Sequence, residues 1–264
     1  MRTIAITNQK GGCGKTTTAV NLAAALAVRG QRTLLVDLDP QGHATLGLGL
    51  IPEHCQHTIF DVIVQDDLPV SRILMPSGIP LLMIAPSNVL LSGAEAALMT
   101  MNQREYVLYN RLLQADLFFD YCIIDCSPSL SLLTLNALNA ASDVIIPVQT
   151  HYYSIEGLKQ VLETLSVVQE RFNPQLQVRG ILLTLAEKNA ILSRDVERQM
   201  RDYFGQLIFQ TVIHRNIRLA EAPAAGQSII TYDPANPGAK EYRQLAEEIT
   251  YEKVRTTQAD FVHI

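Results

Sequence analysis

The sequence has 264 residues, of which 48% are apolar and 18% charged, and its formal net charge is -5. This composition excludes a disordered chain, a collagen-like fibre and a disulfide scaffold, and the acidic balance argues against a protein that coats nucleic acid over its whole surface. The four cysteines and an N-terminus unlike a secretory signal lead us to expect a cytoplasmic protein with reduced thiols. We predict a single domain over residues 1–264, with a flexible tail at about 256–264.

Short runs rich in isoleucine, valine and leucine recur along the chain and predict strands that are buried on both faces. These runs occupy residues 3–7, 33–37, 81–85, 121–125, 144–148 and 178–184. Segments with helical spacing occupy residues 15–29, 94–114, 130–139, 155–172, 193–204 and 239–254. The alternation predicts an α/β fold with a mostly parallel, doubly wound sheet and helices on both faces, in which the loops after the strands carry function. An uncharged stretch at residues 73–94 contains three prolines, so we predict turns and a strand there instead of a membrane span.

A glycine-rich loop directly follows the first predicted strand: residues 10–18 read KGGCGKTTT and lead into an alanine-rich helix. Glycines let backbone N–H groups surround an anion, and the start of the helix adds the positive end of its dipole. Lys15 is expected to contact the β- and γ-phosphates of a nucleotide, and the Thr16 hydroxyl to ligate Mg²⁺. A glycine turn capped by threonine is the simpler interpretation, but the strand-to-helix context favours a phosphate loop. Its predicted nucleotide-binding residues are Lys10, Gly11, Gly12, Cys13, Gly14, Lys15, Thr16 and Thr17.

Two further predicted strands end in acidic residues, in the segments VDLDPQGH (36–43) and IIDCSP (123–128). A carboxylate is costly to bury at a strand end unless a cation or hydrogen bonds compensate it, and Mg²⁺ bound with ATP supplies such a cation. We assign Asp125 to hold Mg²⁺ through a water, and Asp39 to the metal site and to positioning the attacking water. Asp37 is assigned a supporting or capping role. Capping of the following turn is the alternative for each loop alone.

The loop departs from the strict pattern GxxxxGK[ST], because Gln9 stands at the place of the first glycine, and it carries a second lysine, Lys10. This spacing resembles the deviant Walker A type of P-loop NTPase. Further segments resemble ParA/Soj partition ATPases, in order and over nearly the whole chain. They read LLVDLDPQGHAT, FDYCIIDCSPSLSLLTLNAL, VIIPVQTHYYSIEGL, IHRNIRLAEAP and ITYDPANPGAKEY.

The resemblance implies an ATPase with ATP and Mg²⁺ as cofactors and with Lys10, Lys15 and Asp39 as catalytic residues. By the same resemblance, ATP is expected to pair two copies into a homodimer in which Lys10 reaches the nucleotide of the partner subunit; a surface charge is the simpler interpretation of Lys10. This dimer is expected to bind nucleoid DNA without sequence preference and to position a plasmid, a chromosome or a protein organelle. A ParB-like or small adaptor partner on this cargo is expected to stimulate hydrolysis, which should be slow otherwise because the acidic loops contain no arginine to stabilise the transferred phosphoryl group.

Four positions depart from the usual family pattern, and they flank the switch loops and the base pocket. Ser127, Ser131, His43 and His214 stand where proline, glycine, asparagine and proline are usual. For the adenine side of the site we predict His214 and Asn216, with the chain around Leu185.

The segment from residue 188 to residue 218 has a surplus of basic residues. In ParA proteins, arginines after the sixth strand and in the motif RNxRLxEAP contact DNA phosphates. The first of these positions is Asn189 here, whereas Arg215 and Arg218 match the second. The predicted DNA-binding residues are Lys188, Arg194, Arg215 and Arg218. For Arg198 and Arg201 we favour a solvated helix face with internal ion pairs.

Two other classes of function compete with this interpretation. A MinD-like membrane-cycling ATPase regulator would need a basic amphipathic helix at the C-terminus, whereas residues 247–264 mix acidic and polar side chains without an apolar stripe. A metabolic enzyme, either a nitrogenase-type electron carrier or a ligase similar to dethiobiotin synthetase, would need a cluster-ligand motif or a different substrate loop.

Overall fold

A twisted sheet forms the centre of the computed structural model, which describes residues 1–113, 115, 118–151, 154–188 and 190–251. The strands in this part of the chain are β1 (Arg2–Ile6), β2 (Thr33–Leu38), β3 (Met75–Pro76), β4 (Leu82–Ala85), β5 (Tyr121–Cys126), β6 (Asp143–Gln149), β7 (Gln177–Ala186) and β8 (Ile208–His214). Their order in the sheet is β3-β4-β2-β5-β1-β6-β7-β8. All neighbours are parallel except the β3–β4 pair at one edge. The predicted α/β fold with a mostly parallel sheet is confirmed.

Helices cover both faces of the sheet. They are α1 (Lys15–Val28), α2 (His43–Gly47), α3 (Ile59–Val64), α4 (Ala94–Leu98), α5 (Val107–Leu113), α6 (Leu132–Ala140), α7 (Ser154–Arg171), α8 (Ile191–Phe204), α9 (Ile217–Glu221), α10 (Ile229–Tyr232) and α11 (Pro237–Tyr251). Among the helices of the described ranges, none is long and apolar enough to reach across a lipid bilayer.

Two hydrophobic cores lie on opposite faces of the sheet, and successive residues of one strand enter different cores. In β1, for example, Ala5 packs into the core beneath α3 to α8, while Ile4 and Ile6 pack into the core beneath α1 and α11. Because both faces are covered, the inner strands carry apolar residues without alternation. This arrangement explains the high apolar content of the sequence.

The structure corrects several predicted elements. The predicted helix at 94–114 is wrong as a single helix: α4 ends at Leu98, and α5 begins only at Val107. Between them the backbone of Gln103 is left-handed, with a φ of 51°, in a segment where threonine and asparagine disfavour a helix. The edge strands β3 and β8 and the short helices α2, α3, α9 and α10 were not predicted, because short or polar segments give little periodicity. The predicted tail at 256–264 and the end of the predicted helix 239–254 lie outside the described residues.

Candidate nucleotide-binding site

The predicted phosphate and acidic loops meet at the carboxyl ends of three adjacent strands. In the register of the sheet, Asp125 of β5 pairs with Ile6 of β1 on one side and with Asp37 of β2 on the other. The loop that continues from β1 therefore lies beside both acidic loops. This is the edge at which parallel α/β sheets bind ligands.

Backbone conformation explains the glycines of the phosphate loop. Gly12 and Gly14 have φ angles of 71° and 86°, a left-handed region that other residues adopt only with strain. The loop carbonyls are held from the neighbouring strands: the Gln149 amide donates to the Gly12 oxygen, and the Thr184 hydroxyl donates to the Cys13 oxygen at 2.8 Å. Gln149 and Thr184 were missed as site residues, although both lie at the ends of predicted strands.

The two lysines of the loop occupy different environments. Lys15, at the start of α1, is 7% exposed, and its ammonium donates to the Lys10 backbone oxygen at 2.9 Å. Lys10 is exposed, and its backbone N–H donates to the Asn8 side chain at 3.0 Å. Lys15 thus lies inside the loop where phosphates would bind, whereas the Lys10 side chain extends from the surface of the protomer.

Asp125 supplies the strongest indication of a cation site. Its side chain is fully buried, and neither carboxylate oxygen makes a well-formed hydrogen bond with the described residues. Burial, together with the nearby Asp37 carboxylate, raises the pKa of Asp125 well above its usual range, and Thr16 and Lys15 oppose this only in part. A buried carboxylate without partners is costly unless a cation neutralises it. Asp125 and Thr16 therefore fit a Mg²⁺ ion that accompanies a bound nucleotide.

Asp37 and Asp39 differ in the hydrogen bonds that their carboxylates accept. Asp37 is fully buried and accepts hydrogen bonds from the Thr45 amide at 2.8 Å and the Thr45 hydroxyl at 2.7 Å. Burial raises the pKa of Asp37 to about 6, although the hydrogen bonds from Thr45 act to lower it. Asp39 is half-buried, and the Gln41 amide holds its Oδ1 at 2.9 Å. Asp37 thus anchors the loop, whereas Asp39 keeps an oxygen that can face a ligand.

We expect Asp125→Asn to leave the nucleotide-free protein as stable as the wild type or more stable, because the substitution removes a buried carboxylate. The wild-type carboxyl binds its proton more tightly when folded than when unfolded, so its ionisation lowers stability as pH rises. In thermal melts, the gain in stability of Asp125→Asn over the wild type should therefore be larger at mildly alkaline than at mildly acidic pH. The same variant should lose the additional stabilisation by Mg-ATP. Full stabilisation by Mg-ATP would contradict the assignment of Asp125 to the metal.

A cavity of about 410 Å³ opens beside the phosphate loop and is suited to a nucleotide base. Its lining includes Gly14, Thr17, Leu185, His214, Asn216 and Tyr242. The predicted adenine-side residues are therefore brought together with the loop. The His214 ring pairs with Glu241 at 2.8 Å. The Asn216 side chain caps α9 through the Arg218 amide and donates to Asn236 at 2.6 Å, so the Asn216 amide is already engaged within the protomer.

Three departures from the family pattern have local structural consequences. Ser131 caps α6, since its side chain accepts from the Thr134 amide, and its φ of -113° does not require glycine. The Ser127 and Ser129 hydroxyls lie 2.9 Å apart within the loop after β5. His43 is exposed at the start of α2.

The predicted DNA-binding residues do not form a single cluster. Lys188 and Arg215 line one groove of about 710 Å³, and Arg215 pairs with Glu187 at 3.2 Å. Arg218 lies outside that lining, pairs with Glu221 at 3.0 Å and covers the Tyr232 ring. Arg194 is exposed on α8.

Other positions in this basic segment are paired or undescribed. Arg198 and Arg201 pair with Asp195 and Glu197 along α8, as expected for a solvated helix face. Asn189, where the family pattern has an arginine, lies outside the described residues.

The parallel sheet, the left-handed glycines and the buried Lys15 define a P-loop nucleoside triphosphatase, and the additional Lys10 is typical of the deviant Walker A type.

The family described as AAA domain matches residues 1–178. Sporulation initiation inhibitor protein Soj of Bacillus subtilis (strain 168) is 47% identical over 246 residues, which cover 93% of this chain and 97% of that protein. Chromosome partitioning protein ParA of Myxococcus xanthus (strain DK1622) is 44% identical over 248 residues, covering 94% and 87%.

A solved structure shows the same fold. It is cobyrinic acid a,c-diamide synthase from Mycobacterium smegmatis with bound ADP and magnesium, which is 38% identical with a TM-score of 0.83 and covers 95% of this chain and 94% of its own. The chain belongs to the ParA/Soj family of partition ATPases.

Proposed function

We propose that this chain is an ATP-driven switch that positions a cargo on nucleoid DNA, with ATP and Mg²⁺ as cofactors. The observation that carries the proposal is the buried Asp125 carboxylate, which has no well-formed hydrogen bond among the described residues, beside a glycine-rich phosphate loop. The relatives named Soj and ParA support partitioning as its purpose. The synthase name belongs to a less similar protein, which supports the nucleotide and magnesium assignment by its bound ADP and magnesium.

Each part of the site has a distinct task in hydrolysis. The loop N–H groups, the start of α1 and Lys15 hold the phosphates of ATP. Thr16 and Asp125, with Asp39 close by, would hold Mg²⁺, which neutralises charge on the phosphates. Asp39 orients the attacking water and accepts its proton, since one of its oxygens is held by Gln41 and the other is available to a ligand.

Lys10 completes the site only when two copies meet. Its side chain is exposed on the loop surface, whereas the Lys15 ammonium occupies the loop interior. We therefore propose an ATP-bound homodimer in which each Lys10 contacts the nucleotide of the partner. Residues 1–264 would then form one ATPase domain per protomer.

DNA contact is proposed for a small patch instead of the whole surface, because the chain carries a net charge of -5. Lys188 and Arg215 lie in one groove beside Glu187 and Glu241, and Arg194 and Arg218 lie nearby in sequence. Binding of DNA phosphates would draw on these cations in exchange for their ion pairs within the protein. Pairing of two protomers presents two such patches to one duplex and increases avidity without new contacts. DNA binding that depends on ATP follows from this arrangement, and so does a nucleoid-associated location in the cytoplasm.

We expect Arg218→Glu to abolish salt-sensitive, ATP-dependent DNA binding while ATP binding is retained. Arg215→Glu should abolish DNA binding as well, and it is compared at saturating ATP because Arg215 also lines the cavity beside the phosphate loop. Arg198→Glu is the matched control, because Arg198 is likewise an exposed, ion-paired arginine, with Asp195 as its partner, but lies on α8 outside the predicted DNA-binding set. The measurement is retention of each folded variant on DNA with Mg-ATP. Retention of both Arg215→Glu and Arg218→Glu at the wild-type level would show that DNA binds elsewhere.

Hydrolysis itself is tested by phosphate release from ATP by the purified chain, with and without Mg²⁺. We expect slow release that requires Mg²⁺ and rises when a ParB-like protein or a small adaptor from the same cell is added. No release above background under any of these conditions would contradict the proposed switch.

A further inference from the structure

A closed ring of hydrogen bonds links the loop after β2 to the turn after β4. The Asp37 carboxylate accepts from Thr45, and the Thr45 hydroxyl in turn accepts from the Ser87 amide at 3.0 Å. The Ser87 hydroxyl donates to the Asp39 backbone oxygen at 2.8 Å. The Asp39 amide closes the ring on Asp37 at 3.3 Å. The ring therefore holds Asp39 from two sides.

Ser87 occupies a constrained position in this ring. Its side chain is fully buried, one residue before the exposed turn that begins at Asn88. The backbone there approaches the loop after β2 closely, because a Cβ on Gly42 would lie 3.1 Å from the Ser87 carbonyl oxygen. Since β2 and β4 are parallel neighbours in the sheet, both loops leave the same edge. Ser87 is thus a fixed point against which the Asp39 backbone is held.

We propose that Ser87 is a positioning residue for hydrolysis, which acts by fixing the Asp39 backbone and through it the direction of the Asp39 carboxylate. This inference rests on the proposed role of Asp39 in orienting the attacking water. The Gly42 amide also reaches the Asp39 oxygen, at 3.0 Å, so the loop keeps its turn when the Ser87 hydroxyl is removed. Loss of the Ser87 hydroxyl would then let the Asp39 carboxylate vary in direction without unfolding the loop.

The kinetic consequence is specific to the chemical step. A misplacement of about 1 Å can cost a factor of about 100 in rate, whereas ATP is bound mainly by the phosphate loop, which Ser87 does not contact. Ser87→Ala should therefore lower kcat by about 10- to 100-fold and leave KM for ATP within about twofold. A purely structural role would instead lower the melting temperature and change KM together with kcat.

The experiment compares Ser87→Ala, Ser87→Thr and Ser92→Ala by steady-state hydrolysis and thermal melting. Ser87→Thr retains a hydroxyl and should restore most of kcat. Ser92→Ala is the matched control, because the Ser92 hydroxyl donates to the Val89 backbone oxygen within the adjacent exposed turn. In the Asp39→Ala background, Ser87→Ala should cause no further loss in single-turnover hydrolysis.

The outcomes separate this inference from the proposed function. If Asp39→Ala lowers turnover but Ser87→Ala does not, or if Ser87→Ala causes its full loss again in the Asp39→Ala background, the positioning role of Ser87 is wrong. If Asp39→Ala itself leaves turnover unchanged, the proposed role of Asp39 fails, and the inference on Ser87 fails with it.

Discussion

Lys15→Ala is expected to raise the Kd for Mg-ATP by at least about 30-fold. The Lys15 ammonium is buried within the phosphate loop and is already oriented by the Lys10 carbonyl. Removing one member of a desolvated, hydrogen-bonded charge pair costs roughly 2–5 kcal/mol, which corresponds to a loss of affinity of this size. Titration calorimetry with a non-hydrolysable ATP analogue measures the effect directly.

The control for this substitution is Lys240→Ala. Lys240 also lies near the start of a helix, α11, but its side chain is exposed and is not part of the cavity lining beside the phosphate loop. The affinity of the Lys240→Ala variant for Mg-ATP should equal that of the wild type. Wild-type affinity in a folded Lys15→Ala protein would refute the phosphate loop as the binding site.

Asp39→Ala is expected to lower kcat by about 100- to 10,000-fold while ATP binding is retained, because a positioned general base contributes a factor of this order. The ATP-bound dimer should therefore accumulate. Phosphate release under single-turnover conditions gives the rate, and analytical ultracentrifugation with Mg-ATP gives the fraction of dimer.

Asp67→Ala is the corresponding control, since Asp67 is exposed in a turn remote in sequence from both acidic loops. It should behave as the wild type in both measurements. Normal turnover by Asp39→Ala would require another residue to activate the water, and a monomeric variant with bound ATP would contradict dimerisation driven by ATP.

The sequence predicts those parts of the fold in which a continuous apolar run coincides with a strand buried on both faces of the sheet. The buried strands β1, β2, β5, β6 and β7 are continuous apolar runs, because both faces of the sheet are covered, and each was predicted to within about two residues of its bounds. The antiparallel β3 spans two residues and carries no detectable period. The break at Gln103 coincides with a left-handed backbone and with the weak helix formers Thr100 and Asn102, a local signal that the apolar residues on either side obscure.

The candidate site likewise contains some residues that a sequence motif predicts and others that only the folded chain brings together. Its phosphate loop and the aspartates at the strand ends are contiguous motifs, so their roles could be predicted from spacing. Gln149, Thr184 and Ser87 contribute single polar groups from distant segments of the chain, and only the folded sheet brings them to the loops they support. No local pattern marks these residues, because their partners are backbone atoms.

The net charge of -5 sets a limit on any DNA contact. It is consistent with contact through a few cations, such as Lys188 and Arg215, whose shared groove also contains Glu187 and Glu241, and with a second copy that doubles their number. The contact should therefore be weak for one protomer and sensitive to salt.

The most direct test of an ATP-driven switch on DNA is co-sedimentation of the intact chain with double-stranded DNA in Mg-ATP, in Mg-ADP and without nucleotide, with vesicles of anionic phospholipid in a parallel series. We predict that the chain sediments with DNA only in Mg-ATP, that raised salt releases it, and that the vesicles do not retain it. Equal DNA binding in all three nucleotide states, or capture by vesicles but not by DNA in Mg-ATP, would contradict the account.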